Sequence, residues 1–289
     1  MAPVRYETDA QVAGIIEAQW SDYFVKGDAD VPVFDPIVDL SPIVATPSVA
    51  AAIVSVPIAA MHPARPSFFC EVAALTAETI RANSGSARSV GDVGGGAGRF
   101  LFEISKLFGG LEKKVLIEPS RRLADVAGRF LNETEVEIEL PAVTAIRSAS
   151  QNGSPRNVLP CKVRAVTPRH IDSRQTEICC TTLEEFPGQD EQFDLLACLN
   201  VMDRHPSPPK LISGLRSHLQ TGGFLVLASP FEFIPELMPD EGDVISDMDE
   251  ILAPGEWVTL AKKNVNYEVR PFERKLVRYC VQVVVARKA

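Results

Sequence analysis

From about residue 88 to the C-terminus, short apolar runs alternate with amphipathic stretches. "SVGDVGG" begins a strand, and "GRFLFEISKLFGG" is a helix that closes on Gly109-Gly110. "KKVLIEPS" follows as a second strand and "RRLADVAGRFLNE" as a second helix. "TEICCTTLEEF" supplies the third strand with its exit loop, and "FDLLACLNVMD" the fourth. "PPKLISGLRSHLQTGG" is a helix ending at a glycine pair, after which "FLVLASPF" makes the fifth strand. The last part, "YEVRPFERKLVRYCVQVVVARK", reads as two strands. The alternation predicts an α/β domain built on a doubly wound, mostly parallel seven-stranded sheet with an antiparallel C-terminal edge strand.

Upstream the pattern changes. Residues 1–66 read as an N-terminal extension, and 67–289 as the domain proper. Within the extension, "DAQVAGIIEAQWSDYF" places Val12, Ile15, Ile16, Gln19/Trp20 and Phe24 at helical spacing. Prolines at 32, 36, 42, 47, 57, 63 and 66 then forbid one long regular element. "SFFCEVAALTAETIRAN" is a helix with Ser67 as its N-cap. Residues 132–176, rich in Ser, Pro and Asn, read as an irregular and partly mobile insertion. The apolar run 43–61 is broken by Pro47, Pro57 and serines, so a buried segment is expected rather than a membrane span.

Composition narrows the function classes. A net charge of −9 argues against binding nucleic acid through bulk electrostatics. The six cysteines form no CxxC pair and the four histidines do not flank them at zinc spacing, so no metal site is expected. They read as reduced thiols of a cytoplasmic protein, and "MAPVRYETDA" resembles no secretory or transit signal.

The chemistry centres on "GDVGGGAGR". In a doubly wound sheet, ligands sit at the carboxyl ends of the strands where the topology reverses. A glycine turn there lets backbone N–H groups approach a ligand in front of a helix N-terminus. The dinucleotide fingerprint GxGxxG fails: from Gly94 the third glycine would fall on Arg99, and from Gly96 on Leu101. What stands instead is Asp92, Gly94, Gly96 and Gly98 in a D-x-G-x-G-x-G pattern. Glu118 ends the second strand, where a carboxylate can accept hydrogen bonds from ribose hydroxyls. The third strand's exit, with Thr182, lies where an adenine would be gripped.

The fourth strand ends in "LNVMDR", offering Asn200 and, one turn later, Asp203, and "SPF" closes the fifth. The glycine pattern resembles motif I of the Rossmann-like class I S-adenosylmethionine-dependent methyltransferases. Taken with "IEPS", "LNVMDR" and "SPF", the chain resembles the DREV family, the methyltransferase-like-nine proteins, most closely over residues 89–120 and 192–237. "YFVKGD" and "FERKLVRYC" are weaker echoes near the two ends. The insertion at 132–176 and Ser229, where a leucine is usual, depart from that family.

The resemblance implies S-adenosyl-L-methionine as cofactor and a histidine in a protein or peptide, of His-x-His type, as methyl acceptor. Asp92, Gly94, Gly96, Gly98, Glu118, Thr182 and Asn200 would then bind the cofactor. Asp203 would accept the distal N–H of the acceptor imidazole, Asn200 would orient the ring, and Tyr279 would pack against the substrate. His205 sits beside this site and reads as a loop residue. Two other readings stay open: a small metabolite or another nitrogen nucleophile as acceptor, the acidic run 239–250 favouring a basic one, or a cofactor-binding scaffold without turnover.

Overall fold

The computed structural model describes residues 9–20, 67–133, 135–141, 160–166, 175–188, 191–234, 244–272 and 275–289. The proline-rich stretch, the apolar run 43–61, Phe24, His62, His170 and the first part of the acidic run, 239–243, lie outside the described residues.

Among the described residues five α-helices and nine strands follow in order: α1 Asp9–Trp20, α2 Phe68–Ala82, β1 Ser89–Val93, α3 Arg99–Leu107, β2 Lys113–Ile117, α4 Arg121–Asn132, β3 Glu135–Pro141, β4 Pro160–Val166, β5 Glu177–Cys179, β6 Phe193–Leu199, α5 Pro208–Ser217, β7 Leu219–Ser229, β8 Trp257–Phe272 and β9 Lys275–Lys288. Seven strands form one sheet in the order β5-β2-β1-β6-β7-β9-β8. Pairing from β5 through β7 is parallel, whereas β9 runs antiparallel to both β7 and β8. The doubly wound expectation holds, with the antiparallel C-terminal strand paired inside a hairpin whose other arm, β8, forms the outer edge. The order reverses between β1 and β6, which places the ligand crevice of a Rossmann-like sheet at their carboxyl ends.

The central strands β1 and β6, and β7 from Gly223 onward, are buried nearly throughout because helices cover both faces. Helix α2 starts where the Ser67 hydroxyl accepts from the Cys70 amide at 3.3 Å, as the N-cap reading requires. The helix α5 differs from expectation. It ends at Ser217, and the glycine pair falls inside β7, with Gly222 at φ +77°. The glycines allow that strand to bend, since Leu219 pairs with Phe193 before the register shifts to Leu195 opposite Phe224.

The insertion is less irregular than its composition suggests. β3 and β4 pair antiparallel from Glu135 opposite Val166 to Pro141 opposite Pro160, because "EVEIEL" and "CKVRAV" both alternate. The extension's helix α1 docks on the domain. Val12, Ile16 and Trp20 point inward, and the Trp20 ring stacks on Phe130 at 4.4 Å.

Candidate functional site

The glycine turn joins β1 to α3. Gly94, Gly96 and Gly98 take φ of +65°, +60° and +83°, left-handed values that side chains resist. Their neighbours come from far along the chain. A Cβ on Gly94 would lie 2.5 Å from Val201 Cγ2, beyond β6, and one on Gly96 would lie 2.6 Å from Gln19 Nε2 of α1. The missing side chains therefore make room first for the protein's own packing. The Gln19 side chain closes the turn, donating to Gly95 O and accepting from Arg99 N, both at 3.3 Å. Gly98 abuts Leu131 of α4 and turns into α3.

Two chambers meet at the switch point. The larger, about 520 Å³, is lined by Glu118, Thr182, Glu184, Asn200, His205 and Lys210, among others. The smaller, about 70 Å³, lies under α1 between Gln19, Phe69, Asp92, Gly96, Asn200 and Tyr267. Gly94, Glu118 and Asn200 line both. Of the other residues expected at the site, Gly98, Asp203 and Tyr279 line neither.

Two buried carboxylates define the electrostatics. Asp92, 0% exposed, has no hydrogen-bond partner on either oxygen. Burial, reinforced by repulsion from Glu118, pushes its pKa up to about 7, and the Leu101 backbone offsets little of this. Glu118 is better provided: Oε1 accepts from Ser120 N at 2.8 Å and Oε2 from Gly96 N at 2.9 Å. Burial still raises it to about 7. Such a pair rewards a cation at Asp92 and further donors at the remaining lone pairs of Glu118.

Asn200 follows β6 at φ +57°, a region Asn tolerates better than most side chains. Its backbone N–H donates to Ala228 O at 2.8 Å, and its buried side-chain Oδ1 has no partner. Asp203 stands on the short 3-10 turn Met202–Arg204, 1% exposed, with Oδ1 unpartnered. Burial raises its pKa to about 6, while the Arg204 guanidinium, 3.7 Å from Oδ2, opposes the rise. Arg204 also pairs with Glu232 at 3.2 Å, and burial, followed by that nearby carboxylate, raises the pKa of the Tyr279 phenol. Asp203, Arg204, Glu232 and Tyr279 thus form one polar cluster beside the chambers.

Two wall residues carry no local signal of a site in the sequence. Gln19 and Tyr267 arrive from α1 and β8. His205 is half-buried rather than a free loop residue, with Nε2 2.9 Å from Glu184 Oε1 and Nδ1 2.8 Å from Ser207 O. Only the pairing of Tyr267 with Tyr279 across the hairpin could have found one of them. Among the described residues no group of His, Cys, Asp and Glu side chains is arranged to hold a metal ion, and no helix is long and apolar enough to cross a membrane.

No protein-family model matches the sequence, and no curated protein does. Solved structures do resemble it. The plantazolicin methyltransferase BpumL, in complex with a monoazolic desmethylPZN analog and SAH, is 11% identical with a TM-score of 0.46, over 76% of this chain and 83% of that one. Magnesium protoporphyrin IX methyltransferase from Synechocystis PCC 6803, with bound SAM, is 14% identical with a TM-score of 0.43, over 79% and 87%. The N-methyltransferase NodS from Bradyrhizobium japonicum WM9, in complex with S-adenosyl-L-homocysteine, is 15% identical with a TM-score of 0.42, over 75% and 86%. At these scores the likeness carries no argument about chemistry.

Proposed function

We propose that the chain is an S-adenosyl-L-methionine-dependent methyltransferase whose acceptor is a histidine imidazole in a protein or peptide, the activity of the DREV family it resembles. One observation carries the reading: a fully buried Asp92 with both oxygens unpartnered, at a chamber that shares Gly94, Glu118 and Asn200 with a 520 Å³ cavity. The residues fit the cofactor. Asp92 would take its ammonium, Glu118 its ribose hydroxyls, Thr182 the adenine end, and the Asn200 amide the junction between them. When bound, the cofactor supplies an electrophilic methyl on a sulfonium.

An imidazole needs little acid–base help to attack such a carbon, since near neutral pH one ring nitrogen carries a free lone pair. Orientation then supplies most of the acceleration. The unpartnered Oδ1 of Asp203 accepts the distal N–H, selecting the reactive tautomer and offsetting the charge the ring gains. Arg204 and Glu232 hold that carboxylate in place, and Tyr279 acts through Glu232 and the Tyr267 ring.

Calorimetry with S-adenosylmethionine and with NAD separates the ligand classes, and binding of S-adenosylmethionine alone is expected. Labelled S-adenosylmethionine with a His-x-His peptide then tests the acceptor. NAD binding without S-adenosylmethionine binding defeats the reading. An unlabelled peptide beside a labelled small amine removes the histidine acceptor and keeps the methyl transfer.

A further inference from the structure

The hairpin pairs Tyr267 of β8 directly with Tyr279 of β9, so both side chains leave the same face of the sheet. Their rings stack at 6.3 Å with 28° between planes. Behind Tyr267 stand Phe68, at 5.0 Å, and Phe69, at 6.0 Å and nearly perpendicular. Of these four rings only Tyr267 and Phe69 reach the small chamber, where they share walls with Asp92, Gly94 and Asn200. One side of the chamber is thus carboxylate and amide, the other aromatic. A ring braced by three others has little rotamer freedom left to lose when something binds against it. Aromatic faces attract flat rings, and cationic ones more strongly.

We propose that Tyr267 is the residue on which the acceptor stacks: its ring holds a flat nitrogen heterocycle, an imidazole, beside the methyl donor and favours the charge that ring acquires. The proposal rests on the methyltransferase reading above. In the step served, the lone pair of a ring nitrogen forms the new N–CH₃ bond and the C–S bonding pair stays on sulfur, leaving a neutral thioether. The positive charge passes to the acceptor ring, which then releases the proton of its other nitrogen to Asp203 or water. A lysine ammonium would be drawn to this wall as a cation but, being protonated, has no lone pair with which to take the methyl.

The test uses the full chain with S-adenosylhomocysteine bound, a His-x-His peptide and its Ala-x-Ala control, followed by calorimetry and then by turnover. Tyr267→Met keeps a long apolar side chain without the ring, and about tenfold weaker peptide binding is expected, the scale of a lost ring–ring contact. A fall of about 30-fold in kcat/KM is expected alongside, since cation–π attraction strengthens as charge develops. Tyr267→Phe keeps the ring and is expected to bind and turn over the peptide as the wild type does. S-adenosylmethionine affinity stays unchanged in both. Wild-type binding by Tyr267→Met, or loss of peptide binding by Tyr267→Phe, overturns the stacking role while the methyltransferase reading stands. A wild-type chain that takes neither S-adenosylmethionine nor the peptide overturns both.

Discussion

At Asp92 a carboxylate sits where water cannot reach it, with the Leu101 backbone nearby but no hydrogen bond of good geometry on either oxygen. Its pKa rises from 3.8 to about 7, so the ionised form is disfavoured in the fold. That penalty is absent below the unfolded value and complete above about pH 7. Asp92→Asn is therefore expected to raise Tm by about 3–6 °C at pH 8 without ligand, the scale of one or two kcal/mol in a domain of this size. The same change is expected to weaken S-adenosylmethionine binding at least about tenfold, the scale of one charge-assisted hydrogen bond. Differential scanning fluorimetry and calorimetry check the two halves. Asp203 belongs to the other side of the chemistry. Asp203→Asn is expected to lower kcat about 100-fold, within the usual range for a proton-accepting side chain, with cofactor affinity intact. In the wild type, methyl transfer is expected to fall as pH drops through about 6, where Asp203 takes up a proton. A steady-state pH profile reads this directly. Equal loss of cofactor binding in Asp203→Asn would contradict the role.

At the scale of elements, α1 divides its work by face. Val12, Ile16 and Trp20 enter the core, while Ile15 and Gln19 close the small chamber. Trp20 is the anchor: it is fully buried, stacked on Phe130, and its indole N–H donates to Ala97 O at 2.9 Å. The Arg99 guanidinium, 5.3 Å from the ring, donates to Gln19 O at 2.6 Å. Trp20→Ala is expected to cost about 3–5 kcal/mol in urea unfolding. Trp20→Phe, which keeps the stack and loses the hydrogen bond, is expected to cost about 1 kcal/mol. The helix was legible from the spacing of its apolar residues. The glycine turn was legible too, because alternate left-handed positions demand glycine wherever they occur. The β3–β4 pair was not read, since Pro and Ser around it hide two short alternating runs.

Across the whole molecule the ionisable groups are unevenly arranged. Asp92 and Glu118 rise to about 7 and Asp203 to about 6, so the ligand-free fold holds more protons than the unfolded chain near neutrality. Stability from these three is lost as pH rises through 6 to 7. His218, whose pKa burial lowers, works in the opposite sense, losing stability as pH falls below the ordinary histidine range, but it is one group against three. Tm of the ligand-free protein is expected to fall from about pH 5 to about pH 7 and to level off above it. Saturating S-adenosylmethionine is expected to flatten that slope, because a cation beside Asp92 favours its ionised form. A thermal-shift series across that pH range, with and without ligand, measures the effect.

The sequence by itself determined the alternation of strand and helix, the acidic residue before the glycines, and the carboxylate ending β2. Each is a local pattern, fixed by residues within one or two turns of chain. Tertiary structure alone decided which side chains meet them. Val201 against Gly94, Gln19 over Gly96, Glu184 beside His205 and Tyr267 across from Asn200 all join segments distant in the chain. It also decided that Asp92 has no partner, because burial and hydrogen-bond supply depend on the complete packing around a group, which no stretch of sequence contains.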